Sequence, residues 1–205
     1  MNDIEMIICI STIFLIILVV IVLFKKRGYT INNLKGKMGE HLVKKYLKML
    51  GDNYKIFNDI YLDDHGKSVQ IDHVVISQFG IFCIETKNYK GKIYGHSYEF
   101  YNPIKQNLSH LNALNKTLGI KWSENLVVFL NRASKLKIIN NSTFCGYPSD
   151  AIKHILSFKI KIYTAQKVLE LSNKLSSMKK KNTCVVRYKH LKQVKQNRNN
   201  QTVMS

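Results

Sequence analysis

The chain has no C-x-x-C pair: its 4 cysteines, Cys9, Cys83, Cys145 and Cys184, are scattered, which argues against a zinc ribbon or a disulfide framework. Reduced thiols suit a cytoplasmic face. There is also no internal repeat, no glycine-rich phosphate loop and no serine or cysteine nucleophile motif, which sets aside repeat architectures, P-loop nucleotide chemistry and the common acyl-transfer machineries. Acid is scarce as well. Asp and Glu number 13 against 32 Lys and Arg, a formal net charge of +19, and such an excess draws a protein to polyanions, either nucleic acid or the anionic inner leaflet of a membrane. Lys, Asn and Ile are abundant throughout, so part of this charge reflects a compositional bias of the whole chain.

Charge is missing altogether from Met6 to Phe24, an uninterrupted apolar run. At about 1.5 Å per residue it just crosses a bilayer core of about 30 Å. It is too long for a usual signal-peptide core, follows Asp3 and Glu5 instead of a basic segment, and has no small-residue cleavage site after it, so it reads as a retained anchor. Lys25, Lys26 and Arg27 come next. By the positive-inside rule they keep the C-terminal body in the cytoplasm and the N-terminus outside, as a single-pass protein of the cell membrane, and they are available to anionic lipid. The expected organisation is a short extracytoplasmic N-terminus (1–5), a transmembrane helix (6–24), a basic juxtamembrane linker (25–34), one folded domain (35–178) and a basic C-terminal tail (179–205). The part after the anchor is long enough for one domain with a real core and too short for two.

The residues that carry chemistry lie close together. Val69 to Ser77 and Ile81 to Lys87 are rich in Val, Ile and Phe, and Ser77-Gln78-Phe79-Gly80 between them reads as a turn, so the two segments predict a β-hairpin. With Ser77 facing Gly80, Asp72 falls opposite Glu85. Alternation then points Glu85 and Lys87 to one face, which Asp72 shares across the ladder. Two carboxylates facing each other repel unless a cation compensates. Hard oxygen donors without a Cys or His pair favour Mg²⁺ or Mn²⁺ over Zn²⁺, and a nearby lysine can orient or activate water or stabilise charge on a phosphate, the chemistry of phosphodiester hydrolysis. Taken alone, Glu85 and Lys87 would read as a solvated, salt-bridged strand edge.

Gly36-Lys37-Met38-Gly39-Glu40 opens a predicted helix with apolar positions Met38, Leu42, Val43, Tyr46, Leu47 and Leu50. At roughly 100° per residue Glu40 borders that stripe and could look along the sheet toward the same site, although taken alone it reads first as an ordinary first-turn acid favoured by the helix dipole. Asn102-Pro103 starts a second helix with Ile104, Leu108, Leu111, Leu114 and Leu118 as its apolar face. Its Gln106 is either a rim group able to hydrogen-bond a phosphate or a surface amide. Alternation turns His73 away from Asp72, toward packing, and Asp63-Asp64-His65-Gly66-Lys67 reads as a turn. Asn125 to Leu130 and Phe158 to Tyr163 read as further strands completing the sheet, and Thr164 caps a helix through Val168, Leu169, Leu171 and Leu175.

Taken together, Gly39-Glu40, Gln70-Ile71-Asp72-His73, Gly80-Ile81-Phe82, Ile84-Glu85-Thr86-Lys87-Asn88-Tyr89-Lys90-Gly91 and Asn102-Pro103-Ile104-Lys105-Gln106-Asn107 resemble the nuclease-related domain (NERD) family from about Lys35 to about Leu130. The resemblance implies an α/β, restriction-endonuclease-like PD-(D/E)XK fold, a mixed β-sheet flanked by helices, here preceded by one transmembrane helix. It further implies Asp72 and Glu85 as metal ligands for Mg²⁺ or Mn²⁺, Lys87 as the catalytic lysine, Glu40 as an additional acidic residue and Gln106 as a supporting polar group. A tryptophan common between Gly91 and Asn102 is absent. The function so implied is a membrane-anchored, metal-dependent nuclease acting on nucleic acid, DNA first. The alternatives are a catalytically inactive, membrane-tethered nucleic-acid-binding or scaffold module, and a lipid-interacting domain.

Overall fold

A computed structural model describes residues 2–26, 31–64, 66–88, 93–94, 102–130, 136–137 and 142–181. The chain divides into two compact units, Met1–Met38 and Gly39–Ser205. In the first, helix α1 (Asp3–Lys26) is apolar along its length. Its stretch Asp3–Leu23 has 21 residues, a mean hydropathy of 3.4 and no buried portion. By length and composition it can cross a membrane, as a span or as a signal sequence. Arg27, the last of the three basic residues after the run, and the tail beyond Lys181 lie outside the described residues.

Helix α2 (Ile31–Leu47) and a short 3₁₀ turn (Lys48–Leu50) precede the sheet. The strands are β1 (Lys55–Asp64), β2 (Lys67–Ser77), β3 (Gly80–Lys87), β4 (Ile93–Tyr94), β5 (Glu124–Phe129), β6 (Leu136–Lys137) and β7 (Phe144–Gly146), with helices α3 (Pro103–Leu118), α4 (Pro148–Ser157) and α5 (Ala165–Lys181). The main sheet has the order β1-β2-β3-β5-β7, and β4 and β6 form a separate two-stranded ribbon. Strands β1, β2 and β3 run antiparallel as a meander, while β3, β5 and β7 run parallel. This is the mixed α/β sheet expected. The antiparallel part is joined by tight turns, and α3 makes the crossover that a parallel β3–β5 pair requires.

The sheet is buried on both faces. On one, Leu111, Leu114 and Leu118 of α3 and Val168, Leu171 and Leu175 of α5 pack against Ile60, Ile76, Ile81 and Cys83. On the other, Val43 and Leu47 of α2 and Ala151, Ile152 and Ile155 of α4 pack against Val75, Phe82, Ile84, Leu126 and Val128.

Four expectations need correction. Helix α2 starts at Ile31, not at Gly36, and Met38 and Leu42 are exposed while Val43, Leu47 and Leu50 are buried. On α3, Leu108 is exposed, and the buried stripe contains Asn107 and His110 instead. Leu169 of α5 is likewise exposed. Phe158 to Tyr163 forms no strand: the N–H groups of Ile162 and Tyr163 both bind the carbonyl of Gln78 in the β2–β3 turn, and Ile160 is 79% exposed. The strand that completes the sheet is β7, whose partner is β5. The Thr164 cap is present, its Oγ1 accepting from the N–H of Lys167 at 3.1 Å. The Asp63 turn is too, with the N–H of Gly66 donating to Asp63 Oδ1 at 2.9 Å.

Candidate active site at the end of strand β3

The hairpin register is the expected one. Ser77 pairs with Gly80, Ile76 with Ile81, Val75 with Phe82, Val74 with Cys83 and His73 with Ile84. One step further the ladder opens. The register places Asp72 against Glu85, but the N–H of Thr86 is taken by the Asp72 side chain, through Oδ2 at 2.8 Å. On its other edge β3 stays paired with β5 to Lys87, whose carbonyl receives the N–H of Leu130 at 3.0 Å. The strands thus separate at the carboxyl end of β3, where open α/β sheets form their crevices.

Strict alternation does not hold at Asp72. Phe57 and Ile60 of β1 pack into the same core as their partners Val74 and Ile71, although two intervening residues should put them on opposite faces. The slip coincides with Asp59, whose φ of 54° is the only positive value outside glycine among the described residues. Asp72 sits at this local twist, as bulged strands beside reactive sites do.

Glu85 is 3% exposed. Its Oε1 lies 2.6 Å from Lys87 Nζ, and its Oε2 lies 3.2 Å from His110 Nδ1 on α3. The second approach is off the line of a good hydrogen bond, so Oε2 and Nδ1 are both buried without an aligned partner. Lys87 Nζ also donates to Gln106 Oε1 at 2.8 Å. Burial works to raise the Glu85 carboxyl, but the His110 and Lys87 contacts outweigh it and hold the group below its ordinary value. Asp72 goes the other way. Burial, then the charges of Glu85 and Glu40, raise it well above the carboxylate range against the Thr86 hydrogen bond and the Lys87 charge. Two neighbouring carboxylates with environments that push them apart mark a place where a cation or a proton is wanted.

Glu40 is carried there by a close helix approach. A Cβ at Gly39 would meet Leu130 Cδ1 at 2.5 Å and Asn88 Cβ at 3.4 Å. Glycine lets α2 lie this near the ends of β3 and β5 without displacing the Leu130 methyl, and Glu40 is the next residue. Gln106 and His110 are brought in by α3, which Asn102 caps by accepting the N–H of Ile104 at 3.0 Å, with Pro103 in the first turn. The rotation of α3 is held by Asn107. Its Nδ2 lies 3.0 Å from the Cys83 carbonyl, 2.9 Å from the Leu126 carbonyl and 2.6 Å from Asn125 Oδ1, and Asn125 Nδ2 donates onward to Thr143 Oγ1 at 3.1 Å.

The five residues singled out from sequence therefore converge: Glu85, Lys87 and Gln106 by direct contact, and Asp72 and Glu40 through the charges that bear on Asp72. His73 packs as expected. Its Nδ1 lies 2.7 Å from Asn58 Oδ1, and burial lowers its pKa to about 4. His110 and Asn107 were missed. Both are polar residues on the inner stripe of α3, and His110 is one helical turn after Gln106, the spacing that could have revealed it.

A divalent cation is the group this kind of domain implies. No set of three or more His, Cys, Asp and Glu side chains gathers closely enough to hold a metal among the described residues. Two carboxylates, one with an orphaned oxygen, nonetheless suit a hard ion that keeps much of its water, as Mg²⁺ does with one or two carboxylates, and do not suit a structural zinc.

Residues 35–130 match the family profile of the nuclease-related domain, NERD. An uncharacterized protein of Bacillus anthracis is 39% identical over 95 residues, covering 39% of this chain and 45% of that protein, so the match spans less than half of the curated relative. The solved structure of Pyrococcus furiosus SfsA in complex with Ca²⁺ is similar at 17% identity, with a TM-score of 0.27, covering 69% of this chain and 54% of the other, a likeness too distant to carry an argument.

Proposed function

We propose, from the nuclease-related domain of the PD-(D/E)XK kind that residues 35–130 carry, that the protein is a membrane-anchored nuclease hydrolysing DNA phosphodiester bonds with Mg²⁺ or Mn²⁺. The observation that supports it best is Lys87 Nζ, set between Glu85 Oε1 and Gln106 Oε1 at the point where Asp72 and Glu85 leave the ladder.

Asp72 and Glu85 would hold the cation, which when bound supplies an activated water and offsets charge developing on the phosphate. Lys87 holds its ammonium group between Glu85 and Gln106, where it orients the attacking water or stabilises charge on the phosphate; taking the proton of that water would require its neutral amine form. Gln106 fixes the lysine from the other side, so Nζ does not swing out on its flexible stem. Glu40 adds negative charge that favours a cation over an empty site. The excess of basic residues brings the polyanion to the domain.

The apolar helix α1 is the anchor, with Lys25, Lys26 and Arg27 on the cytoplasmic side in contact with anionic lipid, and the nuclease domain acts at the cytoplasmic face. A second reading has one observation in its favour. Both Glu85 oxygens already face cationic or polar protein groups, Lys87 and His110, so the site is partly compensated from within, as in a non-catalytic tethered binding or scaffold module.

Cleavage of plasmid and linear DNA by the full-length chain in detergent, with Mg²⁺, Mn²⁺ or EDTA, separates the two. Metal-dependent cutting that drops at least about hundredfold in Lys87→Ala and about tenfold in Gln106→Ala supports the nuclease. DNA binding without cutting, unchanged in both variants, supports the binding module.

A further inference from the structure

His110 is not among the residues from which the nuclease reading was built, yet it approaches Glu85 from α3. Its Nδ1 stands 3.2 Å from Oε2, both atoms are buried, and the other carboxylate oxygen is held by Lys87 at 2.6 Å. We infer that His110 is a positioning residue that sets the carboxylate plane of Glu85 for the divalent cation. The inference rests on the metal-dependent reading above.

The last torsion of a glutamate is broad and roughly two-fold, so a contact at one oxygen leaves the carboxylate free to rotate about it. Lys87 alone is such a contact, made by a long side chain. A second group against the other oxygen restricts that rotation, and His110 is suited to it because an imidazole is rigid and Asn107 ties its helix to the sheet. Asn107, three residues earlier, ties α3 to the carbonyls of Cys83 and Leu126 and to Asn125, and Leu111 and Leu114 bury the same side. The carboxylate thus has Lys87 of its own strand on Oε1 and His110 of the crossover helix standing against Oε2. Groups of this kind behind a metal ligand are worth about 10–100-fold in metal affinity.

The side chain of Asn places an amide N–H close to where Nδ1 of a histidine lies, whereas Ala and Leu offer no polar atom. Mn²⁺ is titrated into the full-length chain in detergent micelles and free Mn²⁺ is read by electron paramagnetic resonance, for the wild type, His110→Ala and His110→Asn. Weakening of about 10–100-fold in His110→Ala, with His110→Asn restored to within about threefold of wild type, is the expected result. His110→Leu, which keeps the volume, replaces His110→Ala if thermal melting shows the alanine variant unfolded. Unchanged affinity in the apolar variant, or His110→Asn as weak as it, overturns the positioning role while the metal-dependent reading stands. No Mn²⁺ binding by the wild type overturns both.

Discussion

The carboxylate of Asp72 accepts the main-chain N–H of Thr86 at 2.8 Å, so a side chain replaces a rung of the β2–β3 ladder at the point where the two strands part. The bond holds half-buried Asp72 beside Glu85, where its own ionisation is opposed. Folding and the proposed metal binding pull this residue in different directions.

Asp72→Asn keeps an oxygen for Thr86 and removes the buried charge. Because the folded-state pKa of Asp72 is raised, the proton it retains stabilises the fold below the ordinary carboxylate pKa of about 3.9, and this contribution is lost as pH rises through the folded value. At neutral pH without metal the variant is therefore expected to be more stable, by about 1 kcal/mol or more, with the advantage shrinking toward pH 4. Mg²⁺ should stabilise the wild type and not the variant. Urea unfolding across pH, with and without Mg²⁺, measures both effects, and cleavage by the variant should be lost.

His73, the adjacent residue, has the opposite sign. Its pKa of about 4 in the fold lies below the ordinary value of about 6.5, so its contribution is present above pH 6.5 and is lost as pH falls toward 4, by up to about 3 kcal/mol. His73→Gln is expected to flatten the acid side of the stability curve, whereas Asp72→Asn alters the side that declines with rising pH. The two slopes distinguish neighbouring residues in one denaturation series.

Asn107 joins α3 to two strand carbonyls and to Asn125. Asn107→Leu removes the donor that ties these acceptors to α3 and leaves the buried Asn125 amide oxygen without it, at about 1–3 kcal/mol for each buried group left unsatisfied before relaxation. A total loss of about 2–4 kcal/mol in chemical denaturation is expected, together with reduced cleavage, because Gln106 and His110 are set by the same helix. A loss below about 0.5 kcal/mol would remove Asn107 from the account of how the site is held.

Gly39→Ala would raise the helix propensity of α2 by about 1 kcal/mol in open solvent. Here the added methyl meets Leu130 Cδ1 at 2.5 Å, so Leu130 must turn aside or α2 must move and carry Glu40 with it. Stability is expected not to rise, and Mg²⁺-dependent cleavage to fall several-fold. Pairing the change with Leu130→Ala, which clears the contact, should restore part of the activity; failure to do so would argue against helix displacement as the cause.

Much of the site was legible because it is local. The Ser77–Gly80 turn sets the hairpin register, the register sets Asp72 against Glu85, and Pro103 with its Asn102 cap announces the helix that brings Gln106 to Lys87. Less local features were not legible. The slip at Asp59 depends on one residue adopting a conformation its type seldom takes. β7 is too short to show a pattern, and only its pairing with β5 makes it a strand. Phe158 to Tyr163 alternates as strands do, yet it pairs with no strand among the described residues and the Gln78 carbonyl takes the N–H groups of Ile162 and Tyr163. Asn107 and His110 look like interruptions of an apolar stripe until the strand carbonyls and Glu85 opposite them are in view.

The mixed direction of the sheet also orders its assembly in time. The β2–β3 ladder joins residues close in the chain, whereas Phe82 must wait for Glu124 before the parallel β3–β5 ladder begins. Closing the longer loop costs more entropy, and contacts of that range form later. Asp72 and Glu85 are thus neighbours from an early stage, in a hairpin still open to water that solvates both charges. The imidazole and the amides of α3 arrive only with the crossover, and at that step the carboxylates become buried. Formation of the parallel ladder is therefore also the event that turns two hydrated acids into a pair largely withdrawn from water.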